Sequence, residues 1–285
     1  MAVPSSTDQT TDLYSKKAEF WESYLKGRPR APERLLDRVF RYHEEHGGRW
    51  DCAHDIGAGV APYASDLRSR FADVILSDIS PDNVAVAQAR LGTDGFSYRA
   101  ARAEDVDDIT PGTVDMTFAS TMFHFCDDQH AAMAAMAKQL RPGGTFVCFF
   151  VGLASFDDPA VYDLYMDIVR TGNKGLCQNV RDPDNLLRAI DRIRGFYNVA
   201  PLEDELWLPG AQRISLNMGD TGTPRLTVPD MVLETEEPLY TGPSDVESFL
   251  TEDGWGFAMG INDIKQHIWT MTFSESDELT RLFNP

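Results

Sequence analysis

The feature that most constrains the fold is an alternation of short apolar strands and helices between residues 50 and 150. The first strand, residues 50–56, closes on the turn Gly57-Ala58-Gly59 and is followed by a helical pattern. Helices of about ten residues between successive strands are long enough to serve as crossovers of parallel β-α-β units. We therefore predict an α/β fold with a doubly wound, mostly parallel sheet and helices on both faces.

Local signals place the elements of this region. Ser80 and Pro81 have the residue types of a helix N-cap and of the first helical position, and the helix they begin is predicted to end at Leu91. The predicted strands are 50–56, 74–76, 96–99, 114–119 and 145–150, and the predicted helices begin at residues 32, 62, 80 and 127.

The regular alternation ends near residue 152. Further helices are predicted at 161–171 and 183–193, and a strand at 213–217 lies inside a stretch broken by Pro and Gly. A short helix at 245–250, a strand at 267–273 and a closing helix to residue 283 complete the prediction.

These patterns divide the chain into four predicted parts. They are an N-terminal lid segment (1–31), a cofactor-binding α/β core (32–151), a helical and irregular lid on the substrate side (152–260), and a closing strand and helix of the core (261–285).

The charge of the chain limits its partners. Its formal net charge is −19, and it contains no cluster of Lys and Arg. Phosphate backbones and anionic lipid surfaces repel such a chain, so we expect neither nucleic-acid nor membrane binding. No feature of the sequence predicts the oligomeric state.

The cysteines and the apolar runs indicate the compartment. The four cysteines lack the spacing of metal ligands, so we expect reduced thiols and no metal site. Residues 1–17 lack the apolar segment of a signal peptide, and the longest apolar run, 146–154, is about half the length of a membrane span. These features predict a cytoplasmic protein.

Two carboxylates accompany the glycine turn. Asp55 stands two positions before Gly57, and Asp78 ends the second strand, roughly 20 positions later. The turn alone also fits a dinucleotide site, but pyrophosphate binders usually carry an apolar residue where Asp55 stands. A cationic ligand tolerates Asp55, and Asp78 is within reach of ribose hydroxyls. A nucleoside ligand that carries an ammonium and a sulfonium group therefore fits the pattern.

Residues 50–150 resemble a class I S-adenosylmethionine-dependent methyltransferase. The resemblance rests on the segments Asp55-Ile56-Gly57-Ala58-Gly59, Asp78, Ala103-Glu104-Asp105, 119–127 and Leu140-Arg141-Pro142-Gly143-Gly144. It implies the Rossmann-like, seven-stranded sheet of that family and S-adenosylmethionine as the cofactor.

The details are most similar to the trans-aconitate methyltransferase-like group found in fungi. Tyr24, Arg28, Pro29 and Pro32 nearly reproduce the N-terminal segment of that group. The run His124-Phe125-Cys126-Asp127 stands where the group has His-Trp-Phe-Asp, and residues 246–255 and 267–273 fit its closing part.

The resemblance implies a role for each matching residue. Asp55, Gly57 and Gly59 would hold the methionine end of the cofactor, and Asp78 the ribose. The remaining cofactor contacts would be Ala103 and Glu104 at the adenine and Ser120 beside the sulfonium.

Two residues depart from the family pattern. Ala61 replaces the last glycine of the motif, which we expect to narrow the gap between cofactor and backbone. Arg102 is a bulky cation close to the expected adenine position.

His124 is the candidate catalytic residue. It follows the fourth predicted strand, at the mouth of the sheet, where a histidine can contact substrate or act as a general base. The substrate-binding candidates are Trp21, Tyr24, Arg28, Met122, His124 and Trp255.

The predicted function is methyl transfer from S-adenosylmethionine to a small molecule of secondary metabolism, at a carboxylate or hydroxyl oxygen. Three alternatives remain open at this point. The first is a methyltransferase-like protein that guides a cyclisation or pericyclic step. The others are a nicotinamide-dependent oxidoreductase, which Asp55 argues against, and a non-catalytic binding subunit.

Overall fold

A five-stranded parallel sheet forms the centre of the computed structural model, which describes residues 18–180, 183–194, 197, 199–218 and 240–271. The order of the strands is β3-β2-β1-β4-β5. Their bounds are β1 Cys52–Ile56, β2 Asp73–Asp78, β3 Phe96–Ala100, β4 Val114–Ser120 and β5 Leu140–Phe149. All four pairings are parallel, which confirms the predicted α/β class.

Helices cover both faces of the sheet. The first face packs with residues of α2 (Glu33–Glu45), α3 (Ala64–Arg68) and α4 (Pro81–Leu91), and the second with α5 (Gln129–Gln139). Ser80 caps α4 by accepting a hydrogen bond from the Asn83 amide, as its position before Pro81 predicts. The sheet is therefore doubly wound, and its core lies in two layers.

The strand order places a switch point beside β1. The chain moves outward from β1 to β2 and β3, and then returns to the other side of β1 for β4 and β5. Crossovers that leave in opposite directions open a crevice above the carboxyl ends of the strands between them. The turn after β1 and the loop after β4 both border this crevice.

Further helices pack outside the sheet. They are α1 (Ala18–Gly27), α6 (Pro159–Asn179), α7 (Pro183–Arg194) and α8 (Ile261–Ile268). The helices predicted at 161–171 and 183–193 are thereby confirmed. Tyr165, Met166 and Val169 of α6 form a small apolar core with Ile268 of α8, and α1 packs on α8. No helix within the described part of the chain is long and apolar enough to cross a membrane.

The short elements after residue 200 correct two predictions. The predicted strand at 213–217 is present as β6 (Gln212–Leu216), but residues 245–250 form a strand, β7 (Val246–Leu250), and not a helix. β7 pairs with β6 in a separate two-stranded parallel sheet. Five residues are too few for periodicity to separate helix from strand, so the pairing partner decides.

The predicted strand at 267–273 is wrong over the residues that the structure describes. His267 and Ile268 end α8, because Ile264 and Ile268 both face the small apolar core around Tyr165 at helical spacing. The described chain thus has five strands in the main sheet rather than seven, and the predicted closing helix to residue 283 lies outside the described residues.

Candidate active site

The turn after β1 contains left-handed backbone conformations and is held in place by side-chain hydrogen bonds. Gly57 and Gly59 have φ values of 62° and 57°, and Ala61 has a φ of 57°. The left-handed conformation costs a non-glycine residue about 1–2 kcal/mol. Arg90 donates to the carbonyl oxygens of Val60 and Ala61, at 2.7 and 2.6 Å. Ala61 is 1% exposed and packs in the core, so its methyl group does not narrow the gap between cofactor and backbone that the motif led us to expect.

Asp55 is a buried carboxylate with an unused oxygen. Its side chain is 1% exposed, and its Oδ2 atom has no hydrogen-bond partner. Burial, together with the nearby charge of Asp78, holds the pKa of Asp55 well above its usual range. A cationic ligand at this position would offset both effects.

Asp78 is almost fully engaged with the protein. Its Oδ2 accepts from the amide of Gly59 at 2.8 Å, and its Oδ1 accepts from the Ser80 amide at 2.9 Å and from Asn83 Nδ2 at 3.1 Å. Burial raises the pKa of Asp78 against the opposing effect of these bonds. A carboxylate offers about four acceptor positions, so about one remains for a ligand.

Helix α1 is linked to the glycine turn through Asn83, a residue that the sequence analysis did not predict. Trp21 Nε1 donates to Asn83 Oδ1 at 2.9 Å, and the same Asn83 donates to Asp78. A Cβ atom at Gly59 would lie 3.5 Å from the Trp21 ring, and one at Gly57 would lie 2.7 Å from Met122 Cβ. Trp21 of α1 therefore covers Gly59, and Met122 of the loop after β4 covers Gly57.

Arg102 is neutralised by two carboxylates. It pairs with Asp127 at 2.8 Å and with Glu104 Oε2 at 3.4 Å. Burial opposes its charge, but Asp127 and Glu104 together raise the pKa of Arg102. The Oε1 atom of Glu104 is buried without a partner, while Ala103 packs against the apolar core. Arg102 thus positions Glu104 rather than standing as a free cation in the site.

Ser120 ends β4, and the loop that follows turns sharply. Thr121 has a φ of 56°. The Tyr63 ring packs against Phe118 of β4 and Phe149 of β5, with centroids 5.7 and 5.6 Å apart. The Tyr63 hydroxyl accepts from the amide of Ala31 at 3.1 Å. The segment that follows α1 is thereby tied to the mouth of the sheet.

His124 is buried against Tyr197 and α7. It lies in a 3-10 turn, is 1% exposed, and has Nδ1 3.3 Å from the hydroxyl of Tyr197. Arg192 of α7 donates to the carbonyl oxygens of His124 and Cys126, at 2.9 and 2.6 Å. Burial and the charge of Arg192 lower the pKa of His124 to about 3, so the ring is neutral at physiological pH. No local motif marked Tyr197 or Arg192.

The remaining substrate candidates separate into two places. The Tyr24 ring lies 5.2 Å from the Trp21 ring, and Arg28 lies 6.0 Å from the Tyr24 ring, so these three form one strip along α1 and the residue that follows it. Trp255 instead donates to Glu252 at 3.3 Å, and Glu252 pairs with Arg38 of α2. The described contacts of Trp255 do not bring it to the glycine turn.

Residues 54–148 match the family model described as a methyltransferase domain. Proteins from fungi are similar over nearly the whole chain. The methyltransferase AacuQ of Aspergillus aculeatus is 48% identical over 95% of this chain and 86% of its own length. A methyltransferase of Claviceps purpurea is 49% identical over 96% and 86%, and the methyltransferase tpcM of Aspergillus fumigatus is 44% identical over 97% and 89%.

A solved structure aligns with the central part of the fold. CalS10 of Micromonospora echinaspora, an amino pentose methyltransferase, covers 50% of this chain and 61% of its own at 23% identity, with a TM-score of 0.40.

Proposed function

This chain belongs to the methyltransferase family of those fungal relatives, and we propose that it methylates an oxygen atom of a small molecule. S-adenosylmethionine is its cofactor and supplies an activated methyl group. The observation that carries the small-molecule proposal is the cover over the glycine turn. Trp21 of α1 and Met122 of the β4 loop lie against Gly59 and Gly57. A polymer would need an open groove at that place.

The buried acceptor atoms fit this cofactor. Asp55 Oδ2 and Glu104 Oε1 are buried without partners, and Asp78 retains room for about one more hydrogen bond. The ammonium group, the ribose hydroxyls and the adenine amine of the cofactor are all donors. We propose that Asp55 binds the ammonium group, Asp78 the ribose and Glu104 the adenine, with Gly57, Gly59, Ala103 and Ser120 lining the site.

The environment of His124 favours a substrate whose methyl-accepting oxygen ionises without help from a base. A base whose pKa is lowered to about 3 takes a proton from a hydroxyl group poorly at neutral pH. We propose that a carboxylate or an acidic hydroxyl enters already ionised, and that His124 orients it by hydrogen bonding while Tyr197 and Phe150 exclude water from the imidazole.

The finer assignments, which come from the resemblance and from the sequence pattern, belong to this proposal. They are the trans-aconitate methyltransferase-like group, a place in secondary metabolism, the four-part division of the chain and a seven-stranded sheet. The cytoplasmic location stays a prediction. No observation favours a cyclisation or pericyclic step, since the similar proteins named above are methyltransferases.

An assay with methyl-labelled cofactor tests the proposal. The protein is incubated with S-adenosylmethionine and with matched aromatic acids, phenols, amines and thiols, and formation of S-adenosylhomocysteine is followed. We expect turnover with acids or acidic phenols and a product methylated on oxygen. Turnover confined to amines, thiols, RNA or protein would contradict it, as would failure to bind S-adenosylhomocysteine.

Trp21→Phe tests whether α1 closes on the bound cofactor. The variant keeps an aromatic ring against Gly59 but removes the N–H that donates to Asn83. A lost hydrogen bond of about 1 kcal/mol corresponds to roughly fivefold weaker binding of S-adenosylhomocysteine by calorimetry.

The chain offers a matched control in Trp255→Phe, which removes an N–H that donates to Glu252 instead. We expect its affinity to stay within about twofold. Unchanged or tighter binding by Trp21→Phe would show that α1 does not close on the cofactor.

A further inference from the structure

Arg28 is a half-buried cation that lacks an anionic partner among the described residues. The chain has 45 acidic and 26 basic residues, and neighbouring arginines have oxygen partners. Arg30 pairs with Asp66, and Arg34 donates to the carbonyl oxygen of Asp253. Arg28 instead contacts Met271 Sδ at 3.1 Å and the Tyr24 ring at 6.0 Å. A thioether is a weak acceptor and leaves the guanidinium charge uncompensated.

Two described rings near Arg28 are neutral. His267 of α8 lies between the carbonyl oxygen of Gly27 and the hydroxyl of Tyr165, at 3.3 and 3.4 Å. Burial and the charge of Arg28 lower the pKa of His267 to about 4, and burial raises the pKa of Tyr165 to about 12. Neither ring carries a charge at neutral pH, so these two neighbours do not compensate the guanidinium charge.

The position of Arg28 relates it to the cofactor site. Trp21 and Tyr24 lie one turn apart on α1, and Arg28 follows directly after the helix, with its amide donating to the carbonyl oxygen of Tyr24 at 2.8 Å, so the three residues lie on one side. Seven residues of helix span about 10 Å. Trp21 lies against Gly59, so the glycine turn and the guanidinium stand at opposite ends of a strip of aromatic rings.

We propose that Arg28 binds an anionic oxygen group of the methyl acceptor, about 10 Å from the turn that holds the cofactor. This inference rests on the proposed function and adds the class of substrate: an acceptor with a flat apolar body and a carboxylate or ionised phenol at the end away from the transferred methyl group. Guanidinium pairs with a carboxylate through two parallel hydrogen bonds, and Tyr24 offers its ring to the apolar body.

Two probes of equal shape test the charge requirement. Calorimetry measures the binding of 2-naphthoate and of the neutral 2-naphthamide to protein saturated with S-adenosylhomocysteine. We expect 2-naphthoate to bind at least about tenfold more tightly than 2-naphthamide, because it gains a charged hydrogen-bonded pair. Equal affinities, or no binding of 2-naphthoate, would overturn the inference whatever any variant does.

Variants then assign the preference to Arg28. Arg28→Gln should remove the preference for 2-naphthoate, and Arg28→Lys should retain part of it, since it keeps the charge without the fork geometry. Arg41→Gln removes the same charge from an exposed position on α2 and should keep the full preference. If Arg28→Gln lowers the melting temperature while the preference remains, Arg28 serves packing and the inference is wrong.

The outcomes also separate this inference from the proposed function. If wild-type protein does not bind S-adenosylhomocysteine, the proposed function fails first. If it binds S-adenosylhomocysteine and methylates an oxygen but treats the two probes alike, only the inference about Arg28 fails.

Discussion

Asp78→Ala is expected to weaken binding of S-adenosylhomocysteine by about 30- to 150-fold, which corresponds to about 2–3 kcal/mol. The substitution removes the acceptor proposed for the ribose. It also removes the partner of the Gly59 amide, which holds the glycine turn, and the partner of Asn83, which links the turn to α1. Calorimetry on the folded variant measures the change.

Asp115→Ala is the matched control for this loss. Asp115 is as buried as Asp78 and also accepts three hydrogen bonds, from the amides of Asp51 and Cys52 and from Arg141. It lies near the amino end of β4, at the opposite end of the strands from the glycine turn, which follows the carboxyl end of the neighbouring β1. We expect Asp115→Ala to lose stability but keep its affinity. A change below about threefold for a folded Asp78→Ala would remove Asp78 from the site.

Asp55→Asn is expected to move stability and affinity in opposite directions. The free protein holds an unpaired buried carboxyl group close to Asp78, and asparagine removes the charge at nearly the same volume. We expect the free energy of unfolding to rise by about 1 kcal/mol at pH 8. Affinity for S-adenosylhomocysteine should fall about tenfold or more, because the proposed partner of its ammonium group is lost.

The pH dependence follows from the raised pKa of Asp55. A carboxyl group whose pKa is higher in the folded state destabilises the fold increasingly as pH rises above its ordinary value. The gain in Asp55→Asn should therefore be largest at high pH and vanish where the unfolded carboxyl is also protonated. Urea unfolding at several pH values measures it, and an Asn variant less stable than wild type at pH 8 would contradict the prediction.

The pH dependence of ligand binding gives a second measure of the ionisation of Asp55. A bound ammonium group lowers the pKa of Asp55, so wild-type affinity should rise with pH by at most about tenfold per pH unit, with release of one proton. Asp55→Asn should lack this proton release in calorimetry with buffers of different ionisation enthalpy. Equal proton release by both proteins would assign the titration to another group.

The sheet and the first contacts of the site were predictable because their signals are local. Strands β1 to β5 and their crossover helices follow from apolar periodicity and from caps such as Ser80-Pro81. Asp55, Gly57, Gly59 and Asp78 follow because the carboxyl ends of neighbouring parallel strands meet at one edge.

What the sequence could not supply depends on contacts between distant segments. Val246–Leu250 is a strand because Gln212–Leu216 lies beside it, and His267 is helical because its neighbours face the small apolar core around Tyr165. Both segments are short, so local preference is weak and packing outweighs it.

The sequence alone determined the α/β class of this protein and the pair of carboxylates at its glycine turn, since strand period and residue spacing are properties of neighbouring residues. Only the tertiary structure decided the protonation of those groups and their partners. Asn83 joins Trp21 to Asp78, and Arg192 depresses the pKa of His124, because folding brings together side chains that are far apart in the chain and removes them from water. Neither the burial of a side chain nor its contacts with distant residues can be read from the spacing of residues along the sequence.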